Sequence, residues 1–159
     1  MLPDGNVLLV EVLKSVHGVS ETELRNPAYL FELGESKTQV LVPGPIALLH
    51  AKIANAYDLN QTGRQDLKHV RILARVLPRY LQQLLDTAGD DATGQLTERG
   101  VIDFAECLLK LLRASKSKTV FTKLGLPGSS VFEGLVPPLS FSRFERFLRD
   151  RLPRTLPPE

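Results

Sequence analysis

No stretch of this chain stays apolar for the ~18 residues that a helical membrane span requires, so that class is excluded. The opening MLPDGNVLLVEVLK has acidic residues flanking a short apolar run, not the basic start and longer apolar core of a signal peptide. Cysteine is nearly missing. Cys107 is the single one, so no intrachain disulfide can form, and a reducing, cytoplasmic compartment is expected. Its surroundings, FAECLLKLL, read as those of a buried small hydrophobe. A charge excess is also missing. Lys and Arg number 20 against 18 Asp and Glu, and the resulting balance is too small by itself to argue for a nucleic-acid partner. The histidines have no metal-ligand spacing. There is no Walker A motif, no G-x-G-x-x-G and no nucleophile elbow, so three large enzyme classes leave no signature.

What is present reads as a globular domain, since 159 residues at 43% hydrophobic content are enough to bury a core. Residues 6–13, NVLLVEVL, form an apolar run behind a Pro3-Asp4-Gly5 turn and read as an inner strand. Ser20-x-x-Glu23 is a capping pattern for one short helical turn. Ala28–Leu33 and Thr38–Val42 read as two short strands about the polar loop Gly34-Glu35-Ser36-Lys37. Pro43-Gly44-Pro45 ends the sheet, and Pro45 suits the first turn of a helix.

Apolar residues spaced three and four apart then predict helices near 45–58, 64–86, 97–114 and 140–151, with a shorter one at 117–124 ending at Gly125. Ile46, Leu49, Ile53 and Tyr57 mark the buried stripe of the first of these. Thr97 is the expected N-cap of the third, and Ser142 that of the last. The expected class is α+β, with a small N-terminal antiparallel or mixed sheet of about three strands and a mainly helical bundle of roughly four to five helices. One domain is expected over 1–152, strand-rich to 43 and helical from 44, with a disordered tail at 153–159. So thin a sheet must be covered by helices or completed by a second copy, hence an expected homodimer.

Three sets of residues could carry chemistry. Glu11 lies inside an apolar strand, where a carboxylate is either ion-paired, solvent-facing, or a Mg²⁺ ligand. Lys52 and Asn55 share one helix face, and Asp66 and His69 share another across a polar turn that holds Arg64. That set is either a polar network locking the turn or a phosphate site built on Lys52 and Arg64. Arg143, Arg146, Arg149, Arg151 and Arg154 crowd the C-terminus with Glu145 and Asp150 to offset them. They form either a solvated basic face or a contact for a nucleic acid.

Val10–Leu24 (VEVLKSVHGVSETEL), followed by TQVLVPGPIALLHAKIANAYDLNQTGRQDLKHVRIL, resembles the later part of nucleotidyltransferase-fold proteins, the AbiEii-like bacterial group in particular. In that family a strand with an acidic residue leads to a glycine-containing turn. A later strand runs through a proline into a helix that carries a lysine, and a basic–acidic cluster opens the next helix. By this resemblance Glu11 stands at the third metal-binding carboxylate, Lys52 is the helix lysine, and Arg64 with Asp66 is the cluster. Mg²⁺ and a nucleotide are the implied ligands. The family's Gly-Ser turn and Asp-x-Asp pair lie upstream of the third carboxylate, and no room for them exists before Glu11. That carboxylate is also Glu in place of the usual Asp. The resemblance therefore implies a truncated or reduced relative without the main catalytic motif, not active alone, acting through a protein partner or by residual nucleotide binding. The alternative is a small helical protein that binds nucleic acid with its C-terminal arginines.

Overall fold

The computed structural model describes residues 15–25, 28–33, 38–89 and 96–156. Over these residues the chain is α+β and mostly helical, with one two-stranded antiparallel sheet. The strand expected at 6–13, with Glu11, and the loop at 34–37 lie outside the described residues. Among the described residues no helix is long and apolar enough to cross a membrane.

A short helix α1 (Glu21–Arg25) opens where Ser20 Oγ accepts the backbone N–H of Glu23 at 3.2 Å, as the capping pattern predicts. Strands β1 (Ala28–Leu33) and β2 (Thr38–Pro43) then form a hairpin. Helix α2 (Pro45–Asp58) starts at Pro45 and buries Ile46, Leu49 and Ile53. Tyr57 does not complete that stripe. It is exposed, with the Lys116 ammonium 5.5 Å from its ring centre, and Ala56 takes the buried place.

Helix α3 (Asp66–Gly89) runs through Pro78 and turns Val70, Ala74, Leu77, Leu81 and Leu85 inward. Helix α4 (Glu98–Arg113) is capped by Thr97, whose Oγ accepts the Gly100 N–H at 3.3 Å. One residue, Ala114, separates it from α5 (Ser115–Leu124), and the buried Ser117 hydroxyl donates to the Leu111 carbonyl at 2.6 Å where α4 ends. Gly125 stops α5 in the left-handed conformation, φ 61°. A 3₁₀ turn (Gly128–Phe132) sends Val131 and Phe132 into the core. The side-chain amide of Gln82 on α3 holds the following loop by two bonds to Val136, of 2.8 and 3.0 Å.

The last helix has three parts: α6 (Ser142–Arg146), a π-helical turn (Phe147–Arg151) and α7 (Leu152–Thr155). Its N-terminus is not capped by Ser142. Glu98 reaches across from α4, and its Oε1 accepts the N–H groups of Arg143 and Phe144 at 2.8 and 3.0 Å. A carboxylate satisfies those orphan donors and complements the helix dipole better than a hydroxyl does. The helix also continues past Leu152, because Leu156 has a buried seat over Gly128, 3.6 Å from where a Cβ would stand. One core joins α2 through α5, the 3₁₀ turn and the C-terminal helix, with Leu49, Val70, Leu77, Leu81, Leu108 and Phe144 at its centre.

The hairpin stands apart from that core. Tyr29 lies opposite Val42, Leu30 opposite Leu41 and Phe31 opposite Val40, yet none of these side chains belongs to the core cluster. Its tie to α3 is a hydrogen bond from the Tyr29 hydroxyl to that of Tyr80, 3.0 Å long. Burial, with that bond, pushes the Tyr80 hydroxyl well above its ordinary range.

Ahead of α1 the chain makes a tight turn in which Val16 bridges Val19 and Gly18 has φ 76°. A Cβ on Gly18 would overlap the methyl of Ala54 on α2. The turn therefore lies flat on α2 because it has no side chain there. Gly18→Ala is expected to lower stability by about 2–3 kcal/mol, combining left-handed strain with overpacking. Gly63→Ala is the control: φ is 73° but nothing lies within 4 Å, so only the strain of about 1 kcal/mol applies. Thermal unfolding of the two variants checks the difference, and equal losses would contradict the packing account.

Candidate functional site

The polar turn between α2 and α3 brings Lys52 and Arg64 onto Asp66; Asn55 and His69 lie on the same two helices, with no side-chain bond to that group among the described residues. The turn closes by its own hydrogen bonds. Asn60 Oδ1 accepts the Thr62 N–H and hydroxyl, both at 3.0 Å, and the Gln61 amide donates to the carbonyls of Asn55 and Leu59, both at 2.9 Å. The Leu59 carbonyl lies at the end of α2, where no helical N–H reaches it, and the Asn55 carbonyl, which already accepts the Leu59 N–H at 3.1 Å, gains a second bond.

Asp66 opens α3 and is 3% exposed. Lys52 Nζ donates to its Oδ1 at 3.1 Å, and Arg64 Nε to its Oδ2 at 2.6 Å. Burial pushes this carboxyl up, but the hydrogen bonds from Arg64 and Lys52 outweigh burial and hold it below the usual carboxylate range. Both cations that could meet a phosphate are thus attached to one buried anion. Neither is used up. Each keeps further N–H groups and is about a third exposed, Lys52 at 31% and Arg64 at 40%. On these two helices and the turn between them, three buried polar atoms have no hydrogen-bond partner among the described residues: Asn55 Oδ1, Gln61 Oε1 and His69 Nδ1.

The other histidines tie the start of the chain to α2. His50 Nδ1 is hydrogen-bonded to Glu23 of α1 at 2.6 Å, and His17 Nε2 to Asp58 at 3.1 Å. Lys116 of α5 donates to the same Asp58 carboxylate at 2.6 and 2.9 Å. Lys116 first, then His17, hold Asp58 below its ordinary value. Among the described residues no group of three His, Cys, Asp or Glu side chains could hold a metal.

Cys107 departs from its expected burial: it is exposed on α4. Ala105, Leu108, Leu109 and Leu112 occupy the inward positions of the run FAECLLKLL, and Cys107 falls on the opposite side of that helix. Partial desolvation, with the nearby Glu23 carboxylate, still pushes its thiol up, so the reactive thiolate is disfavoured.

Of the C-terminal arginines, Arg143, Arg146 and Arg151 are brought together, and Arg154 joins them along a cleft against α4. Arg149 is not part of that cleft. It forks onto Asp150, at 3.0 and 3.3 Å. The acidic partners on α4 were missed by sequence reasoning. Glu98 caps the last helix, and Glu106 accepts a 2.8 Å bond from Arg151. Their one signal was position: Glu98, Ile102 and Glu106 recur every fourth residue, the mark of a shared helix face.

No family model matches the chain, and no curated protein or solved structure matches it.

Proposed function

We propose that this chain is a reduced nucleotidyltransferase-like protein with no catalysis of its own, acting by protein–protein pairing through its hairpin, with a second copy of itself as the partner. The carrying observation is the exposure of Tyr29, Leu30, Phe31, Leu41 and Val42 on one hairpin, with Leu30 at 59%. A lone two-stranded sheet is marginal in water, and an apolar edge strand is a template for another strand. In this reading one edge of the hairpin pairs antiparallel with its twin about a two-fold axis, which closes the assembly. Catalysis is left out because the 159 residues hold no Asp-x-Asp pair.

Hydrogen exchange at increasing protein concentration tests the reading. Protection of the amides in β1 and β2 is expected to rise with concentration while that of α2–α5 stays constant. Exchange in the hairpin that ignores concentration would refute pairing there.

A second reading, residual nucleotide binding at the α2–α3 junction, draws on the remaining N–H groups of Lys52 and Arg64 and on the Asn55, Gln61 and His69 atoms that have no partner among the described residues. Glu11 would hold Mg²⁺ in it. Calorimetric titration of Mg²⁺ with each of ATP, CTP, GTP and UTP should then give heat that Lys52→Ala and Glu11→Ala both abolish. Silence with every nucleotide would eliminate this reading and leave pairing untouched.

A further inference from the structure

A second charged surface is lined by residues of neither the hairpin nor the α2–α3 junction. The C-terminal helix packs beside α4, and between them runs a cleft of about 570 Å³. Arg143, Arg146, Arg151 and Arg154 line it, against two carboxylates, Glu106 and Asp150. Those carboxylates are already engaged. Glu106 binds Arg151 at 2.8 Å, and Asp150 binds Arg149 at 3.0 Å. Among the described residues no ion pair or hydrogen bond engages the guanidinium groups of Arg143, Arg146 and Arg154. All three are exposed. Asp150 also feels the charges of Arg154 and Arg146, so the wall is partly countered; four arginines against two carboxylates still leave an excess of positive charge that favours an anion between them.

The helix is not regular at this wall. Its turn from Phe147 to Arg151 is π-helical, a wider turn that recurs at binding sites. The π turn lies where Phe144 and Phe147 anchor the helix, with ring centres 5.7 Å apart. The aromatic side thus faces the core while the arginine side faces the cleft. Phe147 is buried, so the cleft has no free aromatic platform for stacking bases, and recognition falls to the guanidinium forks.

The cleft also continues. A neighbouring hollow of about 600 Å³ shares Glu106 and Arg151 with it and adds Lys110, Arg113 and one more carboxylate, Asp103, which pairs with Arg99 at 3.0 Å. Along α4 the two extend from Ile102 to Arg113, about 16 Å by helical rise. A single phosphate leaves most of such a trough empty. A chain of phosphates follows it and meets a guanidinium at successive positions, each able to take two oxygens.

We infer that the trough between α4 and the C-terminal helix binds a chain of phosphate groups, with Arg143, Arg146 and Arg154 as its principal contacts. The chemistry is shared by a single-stranded nucleic-acid backbone and by inorganic polyphosphate. The site is independent of hairpin pairing.

The test is fluorescence anisotropy of the full chain with a labelled single strand of about 12 nucleotides, alongside competition by inorganic tripolyphosphate. The variant is Arg143→Gln/Arg146→Gln/Arg154→Gln. The control is Lys68→Gln/Arg75→Gln/Arg79→Gln, which removes the same charge from exposed positions on α3. Thermal unfolding establishes that both are folded. The cleft variant is expected to bind at least about tenfold more weakly than wild type, with a salt dependence shallower by about 2, three contacts at about 0.7 each. The control should bind like wild type. Loss of oligonucleotide binding in the cleft variant identifies a nucleic-acid strand as the ligand. If wild type instead binds tripolyphosphate and not the strand, and the cleft variant loses it, the ligand is polyphosphate. Equal weakening by variant and control, no effect of the variant, or no binding of either polyanion by wild type overturns the assignment.

Discussion

Phe144→Ala is expected to lower the stability by about 4 kcal/mol and the midpoint of thermal unfolding by at least about 10 °C. Phe144 has no exposed surface and sits at the centre of the core. Removing its ring deletes the transfer free energy of a whole aromatic side chain and leaves a cavity that the surrounding helices cannot close. The effect should be local in origin and wide in consequence. Phe144 follows Arg143, and its own N–H is one of the two held by Glu98. The seat of the C-terminal helix, and with it the arginine trough, depends on this ring. A loss under about 2 kcal/mol would mean that the helix packs less tightly than described. Circular dichroism melts measure the change directly.

Asp66→Asn is the second large effect, a loss of about 2–3 kcal/mol. Asparagine keeps the shape of the side chain but cannot neutralise Lys52 and Arg64, which are left against a buried neutral group. Because both cations are partly exposed, water recovers some of the loss, which places the estimate below the full penalty for breaking a buried pair. The pH dependence has a defined sign. The Asp66 carboxyl titrates below its ordinary value when folded. Its contribution is complete above an unfolded pKa of about 3.9 and drains as the pH falls through the lower folded value. Wild type and Asp66→Asn should therefore differ most near neutral pH and converge in acid below about pH 4. Denaturant unfolding at several pH values tests this, and a gap that persists undiminished in acid would assign the stabilisation to packing instead of charge.

The helical part of this fold was legible because its signals are local. The stripe Val70, Ala74, Leu77, Leu81 repeats at helical spacing, Thr97 precedes a periodic run, and Gly125 follows one. The junction of Lys52, Arg64 and Asp66 was legible for the same reason, since a short turn must bring adjacent helix ends together. What escaped was decided at long range. Glu98 displaces Ser142 as the cap of the last helix across 45 residues. Tyr57 leaves the stripe that its spacing assigns to it and lies under the Lys116 ammonium, 59 residues away. The π turn at Phe147–Arg151 has no turn residue to announce it. It lies where buried phenylalanines and cleft-lining arginines follow one another along the helix.

The hairpin is where local pattern and tertiary structure disagree most. Its apolar residues predict burial, and they are exposed. The proposed function resolves that conflict by giving the hairpin a partner, which makes association the central claim. Sedimentation equilibrium of wild type beside Leu30→Glu/Leu41→Glu measures it directly. The expected wild-type mass is twice the 17.6 kDa of one chain, falling toward one chain on dilution. The variant, with paired like charges on the apolar face, should stay at the single-chain mass throughout. Wild type at the mass of one chain at every concentration, or a variant that associates as strongly as wild type, would contradict the account.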